Sequence, residues 1–431
     1  MKKSFTYLFS MAIILISIAS CKKNKEEPID TTINYSAGMV LKWNEAGMQA
    51  VAKIKGAPPM SESRIYAMLN LAMHDALNNI VQKYDTYALS GAADKDADPD
   101  AAVAQAAHDV LVSLLPAQQN TDDSLLTICL AGVTAGSGKE KGIAMGKAAA
   151  KAMIDKRAND GAATAQYPFT PGTLPGEYRA TPPFDMPPFN GFVSLPGWGK
   201  VQPFSLASAS QFRAAAPYSI NSLEYTTDFN EIKTMGCMGC TARSADQTQI
   251  GLFWLDNIPL SWNRIARSLI VEKKLNGWKA ARMLALLQMA EADANISAFD
   301  GKFFYKFWRP ITAIRLGDLD GNPNTTGDAA WNLLAPPTPP APDYPSNHAI
   351  DGGAAAEVLK SYFNTDAVSF SASSNALPGV TRNFNNFSDA AREVSLSRIY
   401  VGFHFRNAVM EGEAQGRKVG NYIFEHCLKE K

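Results

Sequence analysis

Net charge is what this sequence lacks most plainly: 41 Lys and Arg against 41 Asp and Glu leave a formal charge of +0 over 431 residues. That balance argues against nucleic acid as the main partner, which demands a basic surplus, but leaves room for a local cationic pocket. Cysteine is scarce, at Cys21, Cys129, Cys237, Cys240 and Cys427. The pair in GCMGCTARS has no further zinc ligands at the usual spacing and no strand–helix redox setting. A structural disulfide between Cys237 and Cys240 is therefore the first expectation. Strand signals are nearly absent, and beyond the N-terminus no run is long and apolar enough to span a membrane.

What is present begins with MKKSFTYLFSMAIILISIAS, residues 1–20: two Lys, an apolar run, then small residues leading into Cys21. This is a secretory signal, and its Ala-Ser-Cys junction resembles that of bacterial lipoproteins, with Cys21 as the lipidated first residue of the mature chain. The expected location is then the bacterial outer membrane, anchored through Cys21. Residues 21–36 read as a polar tether. From residue 37 to 431 the apolar residues recur at three-and-four spacing, as in YSAGMVLKWNEAGMQAVAKI and RIYAMLNLAMHDALNNIVQKY, the second with Ser61 or Ser63 as its cap. One all-helical domain is predicted, interrupted by two long ordered loops. The first, within 157–220, is rich in Pro, Gly and aromatics and suits a pocket mouth or a cover over a bundle. The second spans 318–345. His74–Asp75 and His108–Asp109 stand in similar helical settings, but neither pair has another ligand at a standard metal interval, so each His reads as a half-buried residue with a polar partner.

Chemistry concentrates in three stretches. In KFFYKFWRPITAIR, Lys302 and Arg309 are seven apart on a helical run, hence on roughly one face, and Pro310 kinks or ends the helix just after Arg309. In DYPSNHAIDGG, Ser346, Asn347 and His348 precede an Ala-rich helix whose first N–H groups are unpaired and suit an anion. In SRIYVGFHFR, Arg398 and His404 are six apart. Together they offer three cations, a hydroxyl, backbone amides and two imidazoles, a set that suits a tetrahedral oxyanion. Spacing by itself leaves the shared site and separate structural roles equally open.

The three stretches resemble the signature motifs of the type 2 phosphatidic acid phosphatase and vanadium haloperoxidase superfamily. K-FFYKFW-RP at 302–310 meets the first, PSNH at 345–348 the second with Asn347 in place of Gly, and SR-IYVGF-H at 397–404 the third, whose closing Asp is here Ala408. FWRPITAIR, the Pro-rich approach to the second motif, and HFR with GRKVG after it look like the secreted bacterial haloperoxidase-like branch. The resemblance implies an all-α fold, a helical-bundle core related to paired four-helix bundles with long ordered loops. It implies vanadate or phosphate held by Lys302, Arg309, Ser346, Arg398 and the Asn347 amide. His404 would be the apical residue that binds vanadium or attacks phosphorus, and His348 the general acid–base. Hydrogen peroxide and halide would be the substrates of a peroxidase, a small phosphomonoester that of a phosphatase. Ala408 removes the carboxylate that would orient His404, which bears hardest on a phosphohistidine path. Ala341, where related proteins often carry an aromatic, alters the halide side. An anion-binding lipoprotein without turnover is the third reading.

Overall fold

The computed structural model describes residues 1, 32, 34–54 and 58–431; the expected signal peptide, Cys21 and most of the tether lie outside the described residues. The helices are α1 (Gly38–Ala52), α2 (Pro59–Asn78), α3 (Pro99–Leu114), α4 (Gln119–Ala131), α5 (Ser137–Arg157), α6 (Leu223–Met235), α7 (Ala245–Phe253), α8 (Ile258–Glu272), α9 (Gly277–Tyr305), α10 (Pro310–Arg315) and α11 (Asn347–Phe363). A small antiparallel hairpin follows, β1 (Phe370–Ser373) and β2 (Thr381–Phe384), then α12 (Phe387–Tyr400) and α13 (Arg406–His426). The hairpin is an addition to the helical expectation: four-residue strands are too short to reveal a period of two. No described helix is long and apolar enough to cross a membrane.

The central element is α9. Its stretch LALLQMAEADANISAF is mostly apolar or small and is buried around the whole circumference, with Gln288, Glu291, Asp293 and Asn295 buried among the apolar side chains. It packs against α2, α11 and α13. Its Asp293 carboxylate accepts the backbone N–H groups of Phe204, Ser205 and Leu206 at 2.5, 2.8 and 3.0 Å, which fastens the aromatic excursion of residues 157–220 to the core.

The start of α11 is placed by α13. Gly412, Gly416 and Gly420 recur every four residues on one face of α13 and let the two backbones touch. A Cβ at 416 would lie 2.0 Å from the Ile350 carbonyl oxygen, and one at 412 would lie 2.8 Å from that of Ser346. Two local expectations are corrected. Helix α2 starts on Pro59 at its first position, without a Ser cap, and Ser63 instead donates its hydroxyl to the Met60 carbonyl. Lys302 and Arg309 do not share a helix. Helix α9 stops at Tyr305, Lys306 turns with φ of 51°, and Arg309 is extended ahead of Pro310, which opens α10. The residue before a proline avoids helical backbone, so the break falls before Arg309 rather than after it.

Candidate active site

A cavity of about 530 Å³ opens beneath the aromatic excursion. Phe184, Phe189 and Phe192 of that excursion form part of its wall, with Met60, Ile258 and Phe299. The polar end is built by Lys302, Arg309, Asn347, His348, Asp351, Arg398 and His404. Three distant segments therefore converge on one place. Ser346 stands at the N-cap of α11 behind this wall.

Each cation is buried and aimed by backbone carbonyls. Lys302, in the last turn of α9, donates Nζ to the Pro342 and Asp343 carbonyls at 2.7 and 3.1 Å. Arg309 donates Nε to the Ala341 carbonyl at 2.7 Å and a terminal nitrogen to the Phe403 carbonyl at 2.9 Å. Arg398 donates to the Trp254 carbonyl at 3.0 Å and lies over the Phe403 ring. Burial pulls all three below their ordinary range, reinforced by the charge of Arg309 at Lys302 and Arg398, and opposed by Asp343 at Lys302 and Arg309. Among the described residues, the carboxylate within ion-pair distance of these three crowded cations is Asp343, 4.0 Å from Arg309. A buried surplus of positive charge is costly unless an anion joins it.

The unpaired atoms point to the same ligand. Ser346 caps nothing: its Oγ is buried without a partner, as is Nε of Arg398. His348 directs one ring nitrogen to the backbone carbonyl of Asp256, and its buried Nε2 has no partner. Burial, then the charge of Arg398, holds this imidazole well below its usual pKa, so it is neutral, with a free lone pair on Nε2. His404 is held between two groups. Nε2 lies 2.9 Å from a terminal nitrogen of Arg309, and Nδ1 lies 2.9 Å from Oδ1 of Asp343. Guanidinium only donates, so the Nε2 lone pair faces the cations and the ring proton sits on Nδ1, toward the carboxylate. Neither Asp343 oxygen meets a well-aligned donor, so that contact is an electrostatic approach rather than a linear hydrogen bond. Burial, then Arg309, keeps His404 neutral as well. Fixed cations, free hydroxyl, first-turn amides and a neutral Nε2 fit an oxyanion such as vanadate or phosphate.

A family model, the VCPO second helical-bundle domain, matches residues 282–430, the stretch that carries every one of these groups. The vanadium chloroperoxidase of Curvularia inaequalis is 28% identical over 413 residues, covering 78% of this chain and 67% of that protein. The solved structure described as the first bacterial vanadium-dependent iodoperoxidase superposes with a TM-score of 0.78 at 26% identity, over 94% of this chain and 100% of that one. A holo-type bacterial vanadium-dependent chloroperoxidase, at 18% identity and a TM-score of 0.68 over 86% and 92%, shares the fold. By family model, sequence and fold the chain is similar to vanadium haloperoxidases. It is an enzyme.

Within this site, Asp343 is the residue that sequence reasoning missed. The motif position of the family's Asp is Ala408, wholly buried, whose carbonyl accepts the Ser346 N–H at 3.0 Å. The carboxylate beside His404 comes instead from the loop before the second motif, three residues ahead of Ser346 in DYPSNH. Only proximity of that loop to the 397–404 stretch reveals it. Asn347 also receives a place: Nδ2 donates to Asn295 Oδ1 at 2.7 Å, so the extra side chain is tied to α9 rather than pushed into the anion site. His74 and His108 stand apart, each against a carboxylate. His74 lies 3.2 Å from Asp75, and His108 lies 2.7 and 2.8 Å from Asp109 and Asp123. Cys237 and Cys240 form a disulfide.

Proposed function

We propose that this protein oxidises halide with hydrogen peroxide, using vanadate held at the polar end of the cavity. The observation that carries the reading is the convergence of three buried cations, the unpartnered His348 Nε2 and a neutral His404 Nε2 on one cavity, with the idle Ser346 hydroxyl at the adjoining start of α11. Lys302, Arg309, Arg398, Ser346 and the Asn347 amide would hold the oxyanion's oxygens, and His404 Nε2 its central atom. Bound vanadate supplies a Lewis-acidic centre that activates peroxide. The chain's own part is positional and protonic: neutral His348 takes a proton from incoming peroxide at Nε2, and the apolar walls keep bulk water from the activated oxygen.

Further parts of the reading concern the rest of the chain. Residues 37–431 act as one domain whose core is related to paired four-helix bundles, exported and anchored through a lipidated Cys21. The test is turnover of iodide or bromide with peroxide after reconstitution with orthovanadate, expected in the wild type and lost in His404→Ala. An aryl phosphate assayed in parallel decides the phosphomonoesterase alternative. Phosphate hydrolysis dependent on His404, without vanadate-dependent halide oxidation, would overturn the proposal.

A further inference from the structure

Halide oxidation by peroxide consumes a proton: halide, peroxide and one proton give hypohalous acid and water. The groups described so far do not hold one ready. His348 and His404 are neutral bases, and the three cations are tied to backbone carbonyls. One further titratable side chain lines the same cavity. Asp351 follows His348 by three residues on α11, which sets both on one face, one turn apart.

Its surroundings are unusual for a carboxyl group. Asp351 is 2% exposed, and no Lys, Arg or His lies within ion-pair distance among the described residues. Its partner is an amide: Asn295 Nδ2 donates to Asp351 Oδ1 at 2.9 Å. The orientation of Asn295 is fixed, because the same Nδ2 also donates to the Glu291 backbone carbonyl at 3.0 Å. Asn295 Oδ1 must then accept, and it accepts from Asn347 Nδ2. One turn before Asn295, Glu291 is fully buried and neither of its carboxyl oxygens has a partner. Two buried carboxyl groups without a counter-ion do not both ionise. Because Oδ1 of Asp351 is occupied as an acceptor, its proton belongs on Oδ2.

We infer that Asp351 is the proton donor of this site, the oddity at Asn347 being one end of the Asn347–Asn295–Asp351 relay that holds it. The inference rests on the halide-oxidation reading. The proton leaves Asp351 Oδ2 for the peroxide oxygen that departs as water while the halide is oxidised at the other oxygen; the proton that His348 took from peroxide returns to that oxygen as hypohalous acid forms, and the Asp351 carboxylate is then reprotonated from solvent. Burial raises the Asp351 pKa well above its ordinary value, against the lowering pull of the Asn295 hydrogen bond. The charged and titratable neighbours are Glu291 and Lys302 on α9, His348 on its own helix, Arg398 on α12 and His404 ahead of α13. On α13, Glu413 is engaged by Arg392 and Arg417, and Arg264 of α8 pairs with Asp256.

Asp351→Asn tests this, since Asn keeps the shape, the neutrality and an acceptor for Asn295. In difference infrared spectra of the vanadate-free proteins at neutral pH, the wild type should show a protonated-carboxyl carbonyl band absent from the variant. Vanadate affinity by equilibrium dialysis should stay within about threefold, while kcat for halide oxidation should fall about a hundredfold, the scale of a lost general acid. The wild-type decline of kcat toward alkaline pH should flatten, and a short carboxylic acid should partly rescue Asp351→Ala. A carboxylate band in place of the protonated one, or a variant with wild-type kcat and pH profile, would overturn the donor role alone. A wild type that binds vanadate but oxidises no halide would overturn the functional reading and the donor role with it.

Discussion

At the scale of single residues, the site depends on which atoms are left unpaired. A serine before a helix ordinarily accepts from the first turn. Ser346 does not, and its idle hydroxyl is left available to the proposed anion site. Asp343 does for His404 what the motif position 408 cannot, by fixing the tautomer that turns Nε2 inward. Removing such an outer partner typically costs about 10- to 100-fold in metal affinity or activity. Asp343→Asn should therefore weaken vanadate binding by about that factor in equilibrium dialysis. Nitrogen chemical shifts of the His404 ring in the vanadate-free protein should move with it, a change that a general loss of fold would not produce selectively.

Among elements, the crossing of α11 on α13 decides where the second motif sits. Gly412, Gly416 and Gly420 bring α13 against the Ser346, Ile350 and Ala354 carbonyls, so the N-terminus of α11 is seated by backbone contact rather than by side chains. In an open helix a Gly→Ala change gains about 0.5–1 kcal/mol. At Gly416 the added methyl would fall 2.0 Å from the Ile350 oxygen. Gly416→Ala should instead destabilise by about 1–3 kcal/mol, the cost of overpacking. Urea unfolding checks the sign, and vanadate affinity should drop because Ser346 and His348 move with α11. The break between α9 and α10 works similarly. Pro310 and the turn at Lys306 let Arg309 leave the helical register and reach His404, which a continuous helix would have prevented.

For the whole molecule, the cost of the buried polar interior shows in its pH dependence. Glu62, at the first turn of α2, accepts from Asn257 Nδ2, and burial raises its pKa from 4.5 to about 7. Asp343, Asp228 and Asp293 are likewise raised by burial, to about 7, 6 and 6. The sign follows from linkage: the unfolded chain releases these protons near pH 4 while the fold retains them. Their contribution is full below about pH 4, declines as pH rises and is lost above about pH 7. His348 and His404, depressed by burial, act the other way, costing stability as pH falls below about 6.5. Glu62→Gln keeps the acceptor for Asn257 and removes one of these ionisations. It should be as stable as the wild type near pH 4 and more stable at pH 8, by up to about 3 kcal/mol, measured by urea unfolding at the two pH values.

The sequence by itself determined a helical chain, because a period near 3.6 is local and survives without tertiary information. It also carried the cations, Ser346, His348 and His404, since motif spacing records chemistry that each segment must supply. It pointed to the Cys237–Cys240 pair and to structural roles for His74 and His108. Tertiary structure alone decided that Lys302 and Arg309 lie on separate elements, that a β-hairpin precedes α12, and that Asp343, rather than position 408, faces His404. It alone joined Asn347, Asn295 and Asp351. The reason is the same in each case. Burial and through-space charge arise between segments distant in the chain, and a linear pattern holds no term for a carboxylate that a folded loop brings to an imidazole 61 positions away.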